Sequence, residues 1–80
     1  MSKADDMRQA YAALTRGDWQ AAHRIVQSDE DSRLSCWAHG IVHVMEGDLP
    51  NARYWYRKAG RAFTEDVAAE IAALGSELNA

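Results

Sequence analysis

The run Cys36-Trp37-Ala38-His39-Gly40-Ile41-Val42-His43-Val44-Met45-Glu46 concentrates four side chains of the types that bind metal ions or carry protons. Cys36, His39, His43 and Glu46 follow one another at three, four and three residues, which on a helix lines them along one stripe. A histidine pair at i and i+4 can share an ion. Cys36 and Glu46, however, would lie ~15 Å apart along the axis at the helical rise, so one ion cannot take all four. A further ligand has to come from another segment, and His23 is the remaining histidine. His23, His39 and His43 are therefore the candidate metal ligands. The pair lacks the glutamate that follows the first histidine in the zinc-protease signature, so that chemistry is not indicated.

A second constellation surrounds Tyr54-Trp55-Tyr56. Arg53, Arg57, Lys58 and Arg61 place four cations within nine residues of a chain whose net charge is −3. Such a patch attracts an anion or an acidic partner locally, while the acidic total argues against general affinity for nucleic acid or acidic lipid. Glu65, Asp66 and Glu70 are close enough in sequence to neutralise it from within. Catalytic arrangements are thin. There is no glycine-rich phosphate loop, and Cys36 with a histidine three residues on is a poor nucleophile and base pair on a rigid helix. No enzyme activity and no cofactor are expected.

The elements that must position these residues read as helices throughout. Proline occurs once, and apolar positions recur at helical spacing in Ala-rich stretches. Ser2 with Asp5 has the form of a capping box, opening a helix that runs to Arg16 before Gly17. Asp18 opens a second helix carrying Trp19, Ala22, Ile25 and Val26, which ends in the polar run 28–32. A third carries Leu34, Trp37, Ile41 and Val44 and stops at Gly47. Pro50 suits the first turn of a fourth, closed near Gly60. Thr64, Glu65 and Asp66 open a last helix with the apolar stripe Val67, Ile71, Leu74 and Leu78. The expected fold is all-α with five helices in a single domain, residues 1–80. No apolar run has the length of a membrane span and the N-terminus lacks a signal-peptide core, so a cytoplasmic protein without membrane association is expected. The single cysteine excludes an internal disulfide. A chain of 80 residues buries only ~60–65% of its unfolded surface, so help from a partner chain is plausible.

The punctuation repeats with a period of 30: Gly17-Asp18 lies over Gly47-Asp48, Ala22 over Ala52, Leu14 over Val44, and Trp19 over Leu49. The second unit, with Gly40, Gly47, Asp48, Leu49, Ala52, Tyr56 and Ala59, resembles a tetratricopeptide repeat. The first unit supplies Ala10, Gly17, Asp18, Trp19, Ala22 and Val26. The run from Trp37 to Gly60 also resembles a segment of small bacterial proteins, a likeness that implies no activity. The repeat resemblance implies two stacked helical hairpins and a capping helix, with Gly40 facing Ala52. It puts Tyr56 in the core, Trp55 at the edge of the seam and Tyr54 outside. It also turns the histidine stripe inward, so the histidines are expected to be packed and hydrogen-bonded, without tight binding of zinc or nickel.

Trp37 and Ile41 give the third helix a second apolar face, to be covered by the first or last helix or by a partner. The function expected is a protein-interaction or self-association module, a homodimer included, with Trp37, Ile41, Tyr54, Trp55, Arg57, Lys58 and Arg61 as partner-binding residues. The alternative is a metal- or anion-binding protein using the His39 and His43 face or the basic face from Arg53 to Arg61.

Overall fold

Every helix of the chain begins where a short polar side chain can accept a free backbone N–H. Ser2, Asp18, Ser32, Asp48 and Asp66 each accept from the residue three positions on, satisfying one of the donors that a helix start leaves over. The computed structural model describes residues 2–79 and contains α1 (Lys3–Thr15), α2 (Trp19–Val26), α3 (Arg33–Glu46), α4 (Leu49–Lys58) and α5 (Val67–Leu78). No strand occurs among the described residues. The last helix starts later than expected. Thr64 does not cap it; its Oγ1 accepts from Asp66 N at 3.1 Å, which turns the chain so that Asp66 can be the cap.

The thirty-residue period appears in backbone hydrogen bonds. Asp18 N donates to Ala13 O and Asp48 N to His43 O, both at 2.9 Å, across Gly17 at φ 80° and Gly47 at φ 94°. This left-handed turn ends a helix and reverses the chain, and an L-residue with a Cβ adopts it only under strain.

Consecutive helices pair, α1 with α2, α2 with α3 and α3 with α4, and α5 then returns against α1 and α3. The central member is α3, whose residues from Ser35 to His43 are all buried. A helix buried on every side is apolar all round or has its polar groups paired. The return of α5 covers the second apolar face of α3: Trp37 and Ile41, expected among the partner-binding residues, are 0 and 1% exposed and lie in the internal core. Five helices in paired contact are as expected, and α5 touches α1 as well as α3, a closure that a linear repeat array, in which a unit touches only its neighbours, does not have.

The α3–α4 seam closes at Gly40. A Cβ there would lie 2.4 Å from Tyr56 Cδ1 and 3.4 Å from Ala52 O, and Ala52 and Tyr56 are themselves buried. Gly75 on α5 faces Tyr11 in the same way, at 2.7 Å from the far end of its ring, but Tyr11 is only half-buried and can swing aside. The two glycines should therefore respond differently. Gly40→Ala should destabilise by ~1–3 kcal/mol through overpacking, despite the better helix propensity of alanine. Gly75→Ala should be near neutral. Urea denaturation of both variants checks the ranking, and a Gly40→Ala protein as stable as the parent would refute this seam.

Candidate functional site

Helix α5 carries Glu70 beneath the basic segment. Its side chain is nearly fully buried and accepts from Trp37 Nε1 at 3.2 Å, Tyr56 OH at 2.8 Å and Arg61 Nε at 2.9 Å on Oε1, and from Arg61 Nη2 at 2.8 Å on Oε2. The Arg61 guanidinium also lies over the Trp37 ring, 3.8 Å from its centroid. The Arg61 hydrogen bonds hold the Glu70 carboxyl below its ordinary range against the opposing effect of burial, with Tyr56 and Trp37 adding to them. Burial, and then the bond to Glu70, push the Tyr56 phenol above its ordinary value.

Arg61 is thus turned inward and does not belong to the exposed basic patch. Arg53, Arg57 and Lys58 remain outside, around Tyr54, which at 48% exposure is the exposed large hydrophobic residue among those described. No acidic side chain among the described residues pairs with these cations. Arg53 lies over the Phe63 ring at 4.8 Å and Lys58 over Trp55 at 5.1 Å. Trp55 is not at a free edge. It is buried, stacked on His39 with ring centroids 3.8 Å apart and planes 9° from parallel.

That stacking helps to fix a cluster of three imidazoles. His39 and His43 come from successive turns of α3 and His23 from α2, which packs alongside. Ring centroids are 5.0 Å apart for His23 and His39, 5.1 Å for His23 and His43, and 5.0 Å for His39 and His43. One nitrogen of each lies within 4.8 Å of the others. The structure therefore brings together the candidate ligands from the two segments and leaves out Cys36, whose Sγ donates to Glu30 O at 3.3 Å. Burial pushes that thiol up, so it is a poor nucleophile.

The histidines differ in their hydrogen bonding. His43 Nδ1 donates to Glu46 Oε1 at 2.9 Å, which leaves Nε2 to accept from Asn51 Nδ2 at 3.3 Å. His39 was expected to be hydrogen-bonded, yet its Nδ1 is buried with no partner. Burial lowers the pKa of His39 to about 3, helped by the neighbouring His43 and His23, and burial also lowers that of His23. His39 is a neutral imidazole across the physiological range. Asn51 and Trp55 are the neighbours of this cluster that the spacing of ligand-type residues could not reveal, since neither is a ligand type. A groove of about 370 Å³ lined by Met7, Leu34 and Leu78 lies elsewhere and contains none of these residues.

The Glu70 network generates a prediction with a definite sign. Because the carboxyl titrates lower in the folded chain than its ordinary 4.5, its contribution to stability is complete above about pH 4.5 and is lost as pH falls through the lowered native value. Glu70→Gln keeps the shape but removes the charge, and should cost ~1–3 kcal/mol at pH 7. The gap between parent and variant should narrow progressively as pH falls below about 4.5 in urea denaturation. A gap constant over that range would mean that the charge of Glu70 is not what matters.

Set beside known proteins, the chain matches no family model, no curated protein and no solved structure.

Proposed function

We propose that the protein is a non-catalytic helical binding module that docks an acidic protein segment on the outer face of α4. The observation that carries this reading is the exposed Tyr54 among three cations, Arg53, Arg57 and Lys58, that no carboxylate of the described residues neutralises. Tyrosine and arginine are common anchors of interfaces because each presents a large, partly apolar surface with hydrogen-bonding capacity. Uncompensated positive charge adds attraction for an acidic partner and speeds its approach. The arrangement fits, since α4 lies against α3 and reaches α5 through Tyr56, while Arg53, Tyr54, Arg57 and Lys58 on its opposite side are exposed. The resemblance to tetratricopeptide hairpins points the same way, with one difference. Docking would use the outer face of α4, because α5 closes against α1 where an open repeat array would leave a concave surface.

A second copy of the chain is the competing occupant. Glu30 and Asp31, in the turn before α3, are exposed and acidic and would complement the same face.

The test uses a fluorescently labelled poly-glutamate peptide and the full chain at low ionic strength. Binding should weaken steeply as salt is raised and fall at least tenfold in an Arg57→Glu, Lys58→Glu double variant. Tyr54→Ala should weaken it while leaving the stability of the monomer within ~0.5 kcal/mol. Sedimentation velocity over a range of protein concentrations distinguishes the occupants: association lost in Glu30→Lys would assign the face to a second copy. Absence of both peptide binding and self-association would overturn the proposal.

A further inference from the structure

We propose that His23, His39 and His43 form a three-histidine site for a zinc-class divalent ion, with one coordination position left for water or a small ligand. These residues are a different set from the cations and tyrosine of the α4 outer face, and the site is proposed independently of that one. The first observation is convergence. One nitrogen from each of three rings, on two helices, lies within 4.8 Å of the others, and the ring centroids form a nearly equilateral triangle. Tetrahedral Zn–N bonds of ~2.0–2.1 Å set ligand nitrogens ~3.4 Å apart. Loading therefore draws the nitrogens together by at most about 1.4 Å, which rotation about side-chain bonds can supply.

The second observation is an unmet valence. His39 is 3% exposed, and its Nδ1 has no hydrogen-bond partner. Native interiors seldom leave a buried polar atom unpaired, and an unexplained one calls for a missing partner such as an ion. A histidine packed only for its bulk would more simply be an apolar residue.

The surroundings have the chemistry of an outer shell. Glu46 takes the Nδ1–H of His43 at 2.9 Å. Metal-bound histidines commonly carry such a carboxylate, which fixes the tautomer and makes the other nitrogen a better donor. That other nitrogen, Nε2, would exchange its 3.3 Å contact with Asn51 for the ion. Trp55 holds the His39 plane by stacking. Around the cluster, Glu46 favours a dication and Lys58, which acts on His39 through its charge, opposes it. An all-imidazole set suits zinc, nickel, cobalt or copper and not calcium or magnesium, which take oxygen ligands. Three protein ligands leave a tetrahedral ion one position short of closure, the arrangement of sites that exchange a ligand. His23, the half-exposed member, is where the cluster meets solvent.

The chain should be tested without any histidine tag and after stripping with chelator. Calorimetry with zinc chloride should show one ion per chain, zinc should raise the melting temperature, and cobalt should give the visible absorption of a tetrahedral site. His23→Ala is the decisive variant, because its side chain is partly exposed and the metal-free fold should persist by circular dichroism. It should lower zinc affinity at least tenfold, as should His43→Ala. Failure of the parent chain to take up zinc or cobalt stoichiometrically would overturn the proposal. So would uptake that survives His23→Ala but is lost in Asp48→Asn, since the ion would then sit on His43, Glu46 and Asp48, a neighbouring group with its own ligand atoms within 4.8 Å.

Discussion

The carboxylate of Glu70 is the point on which the rest of the chain depends. A buried charge is tolerated only when it is paired and its lone pairs are used, and Glu70 has donors from α3, from α4 and from the segment that joins α4 to α5. Those bonds set the register of α5 and hold the Tyr56 ring in one place. The ring in turn occupies the space that Gly40 leaves open, so the closest approach in the α3–α4 seam relies on a side chain pinned from the far side by α5. Arg61 completes the arrangement by lying over Trp37, which keeps the guanidinium partly in solvent while its fork meets the carboxylate.

Much of the scaffold was legible in residue order because it rests on local rules. The caps at Ser2 and Asp18 and the Gly-Asp turns thirty residues apart are chosen by backbone groups a few residues away, whereas the cap of α5 falls on Asp66 and not on Thr64. Glu70 was harder to see. Taken alone, a glutamate in a helix reads as solvated, and the apolar stripe of α5 ran from Val67 to Leu78 without it. Glu70 nevertheless lies three residues after Val67 and four before Leu74, on the same face. A carboxylate at a core position opposite a segment rich in arginine was the available signal, and it was legible only as a neutraliser of the basic patch. The cover over Trp37 and Ile41 could not be read locally either, because it depends on α5 returning to α1.

That return also decides where anything can bind. A linear array of helical hairpins keeps an inner surface open along its length, and here α5 fills that position with Leu74 and Gly75 facing inward. Besides the groove lined by Met7, Leu34 and Leu78, the outer side of α4 and the rim where α2 meets α3 remain accessible. The two candidate sites fall in these places. The histidine cluster was half visible in the sequence: the i, i+4 pair is a local pattern, but the approach of His23 is a consequence of how α2 packs on α3. The missing hydrogen-bond partner of His39 is a property of packing that no spacing could have disclosed.

The three adjacent aromatics of α4 show how one short helix serves three environments. Successive side chains diverge by about 100°, so Tyr54, Trp55 and Tyr56 cannot share a face, and each meets a different neighbour. Tyr56 points into the seam and carries its hydroxyl to Glu70. Trp55 turns to the histidine cluster and covers one face of His39, with Lys58 on its own ring. Tyr54 touches Trp55 edge-on at 5.1 Å and is otherwise presented to solvent. The two candidate sites are therefore not mechanically independent. Tyr54 and Lys58, on the exposed face, both contact the tryptophan that holds a histidine ring in place. A molecule docking on α4 would press on the support of that ring, and an ion drawing His39 toward its neighbours would move the same tryptophan. Trp55 links the two sites by contact, and Lys58 adds a second link through the charge it exerts on His39.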